Sequence, residues 1–344
     1  MSVIGGVMFH AVGASFAALC YTPQKKVLKW SWQTYWLAQA FICWFLLPII
    51  VAWITIPELM TVLDQAPKDA MWKAFGLGMA YGVGGTAFGI AIRYIGFSLT
   101  YAVSIGISCV VGTLLPPLVK GELMTVLQQE GAEWIIAGMV MGVIGIALCG
   151  LAGRYKELDL AKRLDVKDTG FSVAKGLPLC VLAGVLSALY GFSIDQGQPI
   201  ADVAVKYGAG SFQSNVIYIF SNTGAFVVTL AYCLSLHKKQ KTFGEFVKKG
   251  QSPLTMNYIF AIITGLLWYS QFFFYGLGHV KMGDYKFTSW AVHMIMLVLF
   301  STVAGLALKE WTHAKGKTIW ALVVALGVLV AAVLALTVGN SIGV

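Results

Sequence analysis

Charge is what this 344-residue chain has least of. Asp, Glu, Lys and Arg make up 11% of it and apolar residues 58%, where soluble domains carry about 25% charged residues. Acid is scarcer than base, 15 residues against 24, and no acidic residue falls in the middle of a long apolar run. A Walker A sequence, HExxH and GxSxG are all missing, so ATP-driven work, zinc-protease chemistry and serine hydrolysis have no basis here and the chain reads as a non-enzyme. The six cysteines (Cys20, Cys43, Cys109, Cys149, Cys180, Cys233) show no CxxC or metal spacing and read as small apolar packing residues. These absences exclude a soluble globular enzyme, a nucleic-acid binder and a disordered chain, and no cofactor or metal is expected.

What is abundant is uninterrupted apolar sequence. Cutting at every charged residue leaves ten runs of at least 19 residues: 1–24, 30–57, 74–92, 94–119, 134–153, 176–194, 207–237, 250–280, 287–308 and 318–344. About 20 apolar residues cross about 30 Å of hydrocarbon as a helix, so each run is a candidate span. The expectation is an all-α membrane protein of ten transmembrane helices, with 1–344 as a single transmembrane domain. Placing 25–32, 93, 154–175, 238–249 and 309–317 on one side collects 18 of the 24 basic residues. That side should be cytoplasmic, with both termini periplasmic. The first run lacks a basic n-region and reads as a retained helix.

The longest basic segment, about 154–175, separates five spans from five. An odd number per half forces the halves into opposite orientations, the inverted-repeat layout of secondary transporters, with repeat 1 about 1–153 and repeat 2 about 176–344. Gly78 and Gly265 are 187 residues apart, as are Gly96 and Gly283; Thr113 and Thr302 are 189 apart, as are Lys120 and Lys309. Pro48 and Pro178 lie within spans and should break the hydrogen-bond ladder there.

With no carboxylate at mid-membrane and Arg93 at a turn, a carrier of lipophilic cations or of organic phosphates is disfavoured, and a neutral, hydroxyl-rich solute fits better. The spans do hold uncharged hydrogen-bonding residues at helical spacing: Trp36 and Gln39; Tyr101, Ser104 and Ser108; Asn215, Tyr218 and Asn222; Trp268, Gln271 and Tyr275. Each set shares one face. Such a face either lines a cavity or joins helices by hydrogen bonds worth roughly 0.6–2 kcal/mol each. Aromatic rings with amides are the side chains a sugar site uses, although Trp30, Trp32, Trp72 and Trp134 read as interfacial belt residues. His10, His293 and His279 are the titratable candidates inside spans, His237 and His313 read as solvated, and Asp195 stands at the outer end of the sixth span.

The chain resembles the L-rhamnose–proton symporter family of the drug/metabolite transporter superfamily. The residues that carry the resemblance are Lys25-Lys26 with Lys29-Trp30-Ser31-Trp32, Arg93-Tyr94 with Gly96, Leu267-Trp268-Tyr269 with Gln271-Phe272-Phe273-Phe274-Tyr275, Gly278-His279, Ser289-Trp290, His293 and Lys309-Glu310-Trp311. The resemblance implies the drug/metabolite transporter fold, a bacterial inner-membrane location and uptake of a deoxy sugar with a proton as coupling ion. His10 and His293 match the family's histidines. Asp195 stands where the family has Asn, which keeps L-fucose beside L-rhamnose as substrate. The expected sugar-binding residues are Trp268, Gln271, Tyr275, Gln39, Asn222 and Trp290; the expected proton-coupling residues are His10, His293 and Asp195. The sequence leaves the oligomeric state open. A facilitator or exporter of another neutral metabolite, or a membrane-embedded enzyme, are the rival readings.

Overall fold

A computed structural model describes residues 3–20, 22–163, 172–247, 253–312 and 314–342. Among the described residues, ten helices are long and apolar enough to cross a membrane, and there is no strand. They are α1 (Val3–Leu19), α2 (Trp32–Thr55), α3 (Lys68–Ile95), α4 (Phe97–Val119), α5 (Ala132–Arg163), α6 (Val173–Gln196), α7 (Asn215–Gln240), α8 (Leu254–Lys281), α9 (Ser289–Ala307) and α10 (Gly316–Ile342). Each apolar run thus became one helix, as it must where no water is at hand to satisfy backbone groups. Trp72 and Trp134 are 72% and 45% exposed, as belt residues should be. All six cysteines are free thiols, five of them buried.

The chain forms two compact units: Met1–Ser15, Gly84–Phe192 and Gly278–Val344 make one, Phe16–Val83 and Ser193–Leu277 the other. Each draws on both sides of the 154–175 connection, and the boundaries fall inside α1, α3, α6 and α8.

In the first unit α5 continues to Arg163, past the end of its apolar run, because its charged extension has partners. Glu157 pairs with Arg154 (3.5 Å) and accepts the Ser98 N–H (3.2 Å) where α4 starts. Asp159 accepts the Thr318 hydroxyl (3.0 Å) and the Lys315 N–H (3.3 Å) at the start of α10. The basic connection is therefore partly helix; its residues 164–171 lie outside the described residues.

In the second unit a third carboxylate does the same for α2. Glu245 accepts the Ser31 N–H (2.7 Å), the Ser31 hydroxyl (2.8 Å) and the Thr34 hydroxyl, supplying both a cap and a negative charge at a helix N-terminus. Burial pushes the Glu245 carboxyl up, but the hydrogen bonds from Thr34 and Ser31 outweigh it and leave the group below its ordinary value. His237, expected in solvent, is fully buried: its Nδ1 meets Thr242 Oγ1 at 2.7 Å and its ring stacks on Phe243. The Thr242–Phe246 segment folds back over the end of α7 and covers it. His313 lies outside the described residues. Elsewhere in this unit α3 and α7 cross where Gly78 meets the Ser221 carbonyl and Gly224 meets the Phe75 carbonyl, and a methyl on either glycine would overlap the opposing oxygen.

Two outcomes follow from these contacts. Gly224→Val should reduce the thermal stability of the purified protein by at least about 1–3 kcal/mol, the cost of overpacking; an unchanged melting temperature would contradict this crossing. Because the Glu245 carboxyl is lowered on folding, its stabilisation is present above the ordinary carboxylate value of about 4.3 and lost as pH falls through the lower folded value. Melting curves of Glu245→Gln between pH 7 and pH 3 should therefore lack an acid-side decline that the wild type shows.

Candidate functional site

In the second unit, α2 and α8 bring three indoles together. Trp36 and Trp268 lie 5.5 Å apart at 83°, Trp44 and Trp268 5.5 Å apart at 80°, and Trp36 and Trp44 6.3 Å apart at 79°. Three mutually perpendicular rings make a corner of apolar faces. Trp32, read as a belt residue, stacks on Trp36 at 5.1 Å and extends the aromatic wall. Gln39 is fully buried on the same helix as Trp36, and Gln271 and Tyr275 are buried on α8 at the third and seventh positions after Trp268. Helical spacing thus places buried polar side chains on both helices that carry the indoles. It missed Trp44, eight residues after Trp36, because a regular α-helix would turn Trp44 about 80° away from it.

The cause of the miss is a π-helical turn at Phe41–Leu46, just before Pro48. The Leu47 N–H bonds back to the Ile42 carbonyl, five residues earlier, rather than to Cys43. Pro48 has no N–H to offer Cys43 either. The Cys43 carbonyl is left without a partner from its own helix, and Asn222 Nδ2 of α7 donates to it at 3.5 Å. Pro178, by contrast, lies in the first turns of α6, which continues through it.

Other polar faces join helices. Asn215 Nδ2 donates to Thr55 Oγ1 (2.9 Å). The buried Tyr35 hydroxyl meets Thr264 Oγ1, which donates to the Cys20 carbonyl (3.0 Å). Asp195 is half-buried and accepts from Gln196 Nε2 at 3.3 Å.

In the first unit, the imidazoles of His10 on α1 and His293 on α9 meet edge to face at 5.9 Å, both buried. Gly278 of α8 makes room for His10, since a Cβ there would sit 2.9 Å from Nε2. His279 Nδ1 and Ser289 Oγ are 3.1 Å apart. Trp290, one turn before His293, donates its indole N–H to the Ser108 carbonyl (3.0 Å), and its ring occupies the space left by Gly112 and Gly191. On α4, Ser104 donates to the Cys180 carbonyl (3.2 Å) and Ser108 to Ser187 Oγ (3.1 Å). Trp290 and the α4 face are thereby committed to joining α4, α6 and α9.

Ten apolar spans that bury aromatic corners, amides and paired imidazoles have the build of a polytopic membrane transporter. The family model for the L-rhamnose-proton symport protein matches residues 1–344. The L-rhamnose-proton symporter of Yersinia pestis (strain Pestoides F) is 32% identical over 323 residues, 92% of either chain. That of Escherichia coli (strain 55989 / EAEC) is 31% identical over 339 residues, 97% of this chain and 96% of the relative. The chain belongs to the L-rhamnose–proton symport protein family, a family of transporters and not of enzymes, and is a multi-pass protein of the bacterial inner membrane.

Asn222→Asp keeps the shape of the side chain but removes the donor to the Cys43 carbonyl. Leaving that buried carbonyl unsatisfied should cost about 1–3 kcal/mol, measurable as a lower melting temperature; a variant as stable as the wild type would mean that the carbonyl is satisfied in another way.

Proposed function

We propose that this chain imports a neutral 6-deoxyhexose, L-rhamnose in the first place and L-fucose as the alternative, together with a proton. The observation that carries the reading is the corner of three indoles, with Gln39 and Gln271 buried on the same two helices. Perpendicular aromatic faces suit the C–H face and methyl group of a deoxy sugar, and neutral amides suit its hydroxyls. In this assignment Trp36, Trp268 and Tyr275 pack on the sugar while Gln39 and Gln271 bind hydroxyls. Asn222 and Trp290 hold the helices that carry the site. The names of the relatives support L-rhamnose. Asp195, a carboxylate at the end of α6, is the observation that keeps L-fucose open.

His10 and His293 are assigned to the proton, with Asp195 as third choice. Two imidazolium charges 5.9 Å apart would repel by about 3 kcal/mol at an effective dielectric of about 20, so the pair is built to hold one proton, not two. One proton moving through 100 mV supplies about 2.3 kcal/mol, enough for roughly fifty-fold accumulation at about 1.4 kcal/mol per factor of ten.

The transport cycle we assign is alternating access, with both termini periplasmic and two inverted five-helix repeats. Equivalent positions support the repeat. Gly96 has positive φ directly before α4, and Gly283 has positive φ at the start of the 3-10 turn Gly283–Thr288 that leads into α9. Thr113 and Thr302 each bond to the carbonyl four residues back. Lys120 and Lys309 follow the ends of those same helices.

In proteoliposomes, adding L-rhamnose or L-fucose should drive proton entry; sugar flux with no pH change would end the symport reading. Gln271→Ala should weaken sugar binding about tenfold, the value of one buried hydrogen bond. His293→Ala should allow sugar exchange but not accumulation.

A further inference from the structure

The π turn in α2 carries an inference that rests on the sugar-site reading and deepens it. We propose that the turn Phe41–Leu46 is the device that builds the sugar site, and that Trp44 is a further sugar-binding residue, its indole N–H and the Gln39 amide N–H₂ donating to two oxygens of one pyranose.

The first support is rotational. At 100° per residue, Trp36 and Trp44 would differ by about 80° in a regular helix. A π turn takes up one extra residue, which reduces the eight steps to seven in effect and the difference to about 20°. The indoles do meet, at 6.3 Å. The turn presses against α8, where Gly265 leaves space for it; a Cβ there would lie 2.6 Å from Ile42 Cβ. Space for the wider turn is thus provided on the helix that also carries Trp268.

The second support is the state of the donors. Cys43 Sγ donates to Gln39 Oε1 at 3.5 Å, which engages the carbonyl end of the Gln39 amide and leaves Nε2 as its donor end. Gln39 is fully buried and Trp44 is 3% exposed, yet neither Gln39 Nε2 nor Trp44 Nε1 has a hydrogen-bond partner among the described residues. Buried polar groups are nearly always satisfied, and those that are not need an explanation. Gln39 and Trp44 are five residues apart, which the extra residue of the π turn reduces to four in effect, so the two side chains differ by about 40° and share one face of α2. Both are donors only at those atoms, so what they bind must present acceptors. Sugar hydroxyl or ring oxygens, held against indole faces, meet that requirement. Cys43, which looked like filler, is therefore a positioning residue for Gln39.

The test is calorimetric binding of L-rhamnose and its monodeoxy derivatives to the purified full chain. Trp44→Phe preserves ring packing and removes the N–H. It should bind L-rhamnose about tenfold more weakly. One monodeoxy sugar that loses about tenfold against the wild type should lose nothing further against Trp44→Phe, a coupling that a merely structural role would not produce. Full discrimination by Trp44→Phe across the whole series overturns the assignment of Trp44. Deleting Ile42 restores the α register and should abolish binding; a folded deletion variant that binds normally overturns the role of the turn. If the deletion does not fold, Cys43→Ala serves, with a two- to threefold loss expected and no loss overturning the positioning of Gln39. Trp268→Ala separates the two levels. Lost binding there with normal binding by Trp44→Phe refutes only this inference, whereas normal binding by Trp268→Ala, or a wild type that binds neither L-rhamnose nor L-fucose, refutes the sugar site itself.

Discussion

Every backbone N–H and C=O inside a bilayer must find its partner within the protein, and most of this structure follows from that demand. It makes the ten apolar runs helices, and it leaves the helix ends as the places where partners run short. Three of the scarce carboxylates sit there: Glu157 at the start of α4, Asp159 at the start of α10 and Glu245 at the start of α2. The acidic residues are few because the membrane interior excludes them, and these three are spent closing helix termini. The same demand explains Asn222, whose amide answers the carbonyl that Pro48 and the π turn orphan.

A site assembled under this constraint has a distinct character. The three side chains that make the corner, Trp36, Trp44 and Trp268, are uncharged, as are the amides of Gln39 and Gln271 on the same helices. Such a corner discriminates by shape and by hydrogen bonding, which suits a neutral sugar that differs from its competitors in a methyl group and the arrangement of hydroxyls. The titratable groups are set apart in kind: two imidazoles in edge-to-face contact, to which the proposal assigns the single proton. In the proposed cycle this divides the work, with uncharged donors recognising the sugar and histidines carrying the proton.

Periodicity made much of the candidate site legible. Trp268, Gln271 and Tyr275 share a face because α8 is regular, and Trp36 and Gln39 share one because they precede the irregular turn. Trp44 was invisible to the same argument because the extra residue of the π turn shifts the phase, and only the proximity of Pro48 hinted that the ladder would break. Trp290 was expected among the sugar-binding residues; in the structure its N–H donates to the Ser108 carbonyl and its ring fills the gap between Gly112 and Gly191. His237 looked solvated by its basic neighbours and is buried, since Thr242 and Phe243 fold back over it.

By itself the sequence determined the ten spans, the neutral character of the membrane interior and the family, because apolar length, charge position and motif order are properties of the chain read in one dimension. Tertiary structure decided which polar residues join helices, because an Asn or a Trp can bind a ligand or a neighbouring helix and the choice depends on what lies opposite. It also decided that α2 widens by one residue where Gly265 leaves room, a choice made by the neighbouring helix as much as by the segment that carries it.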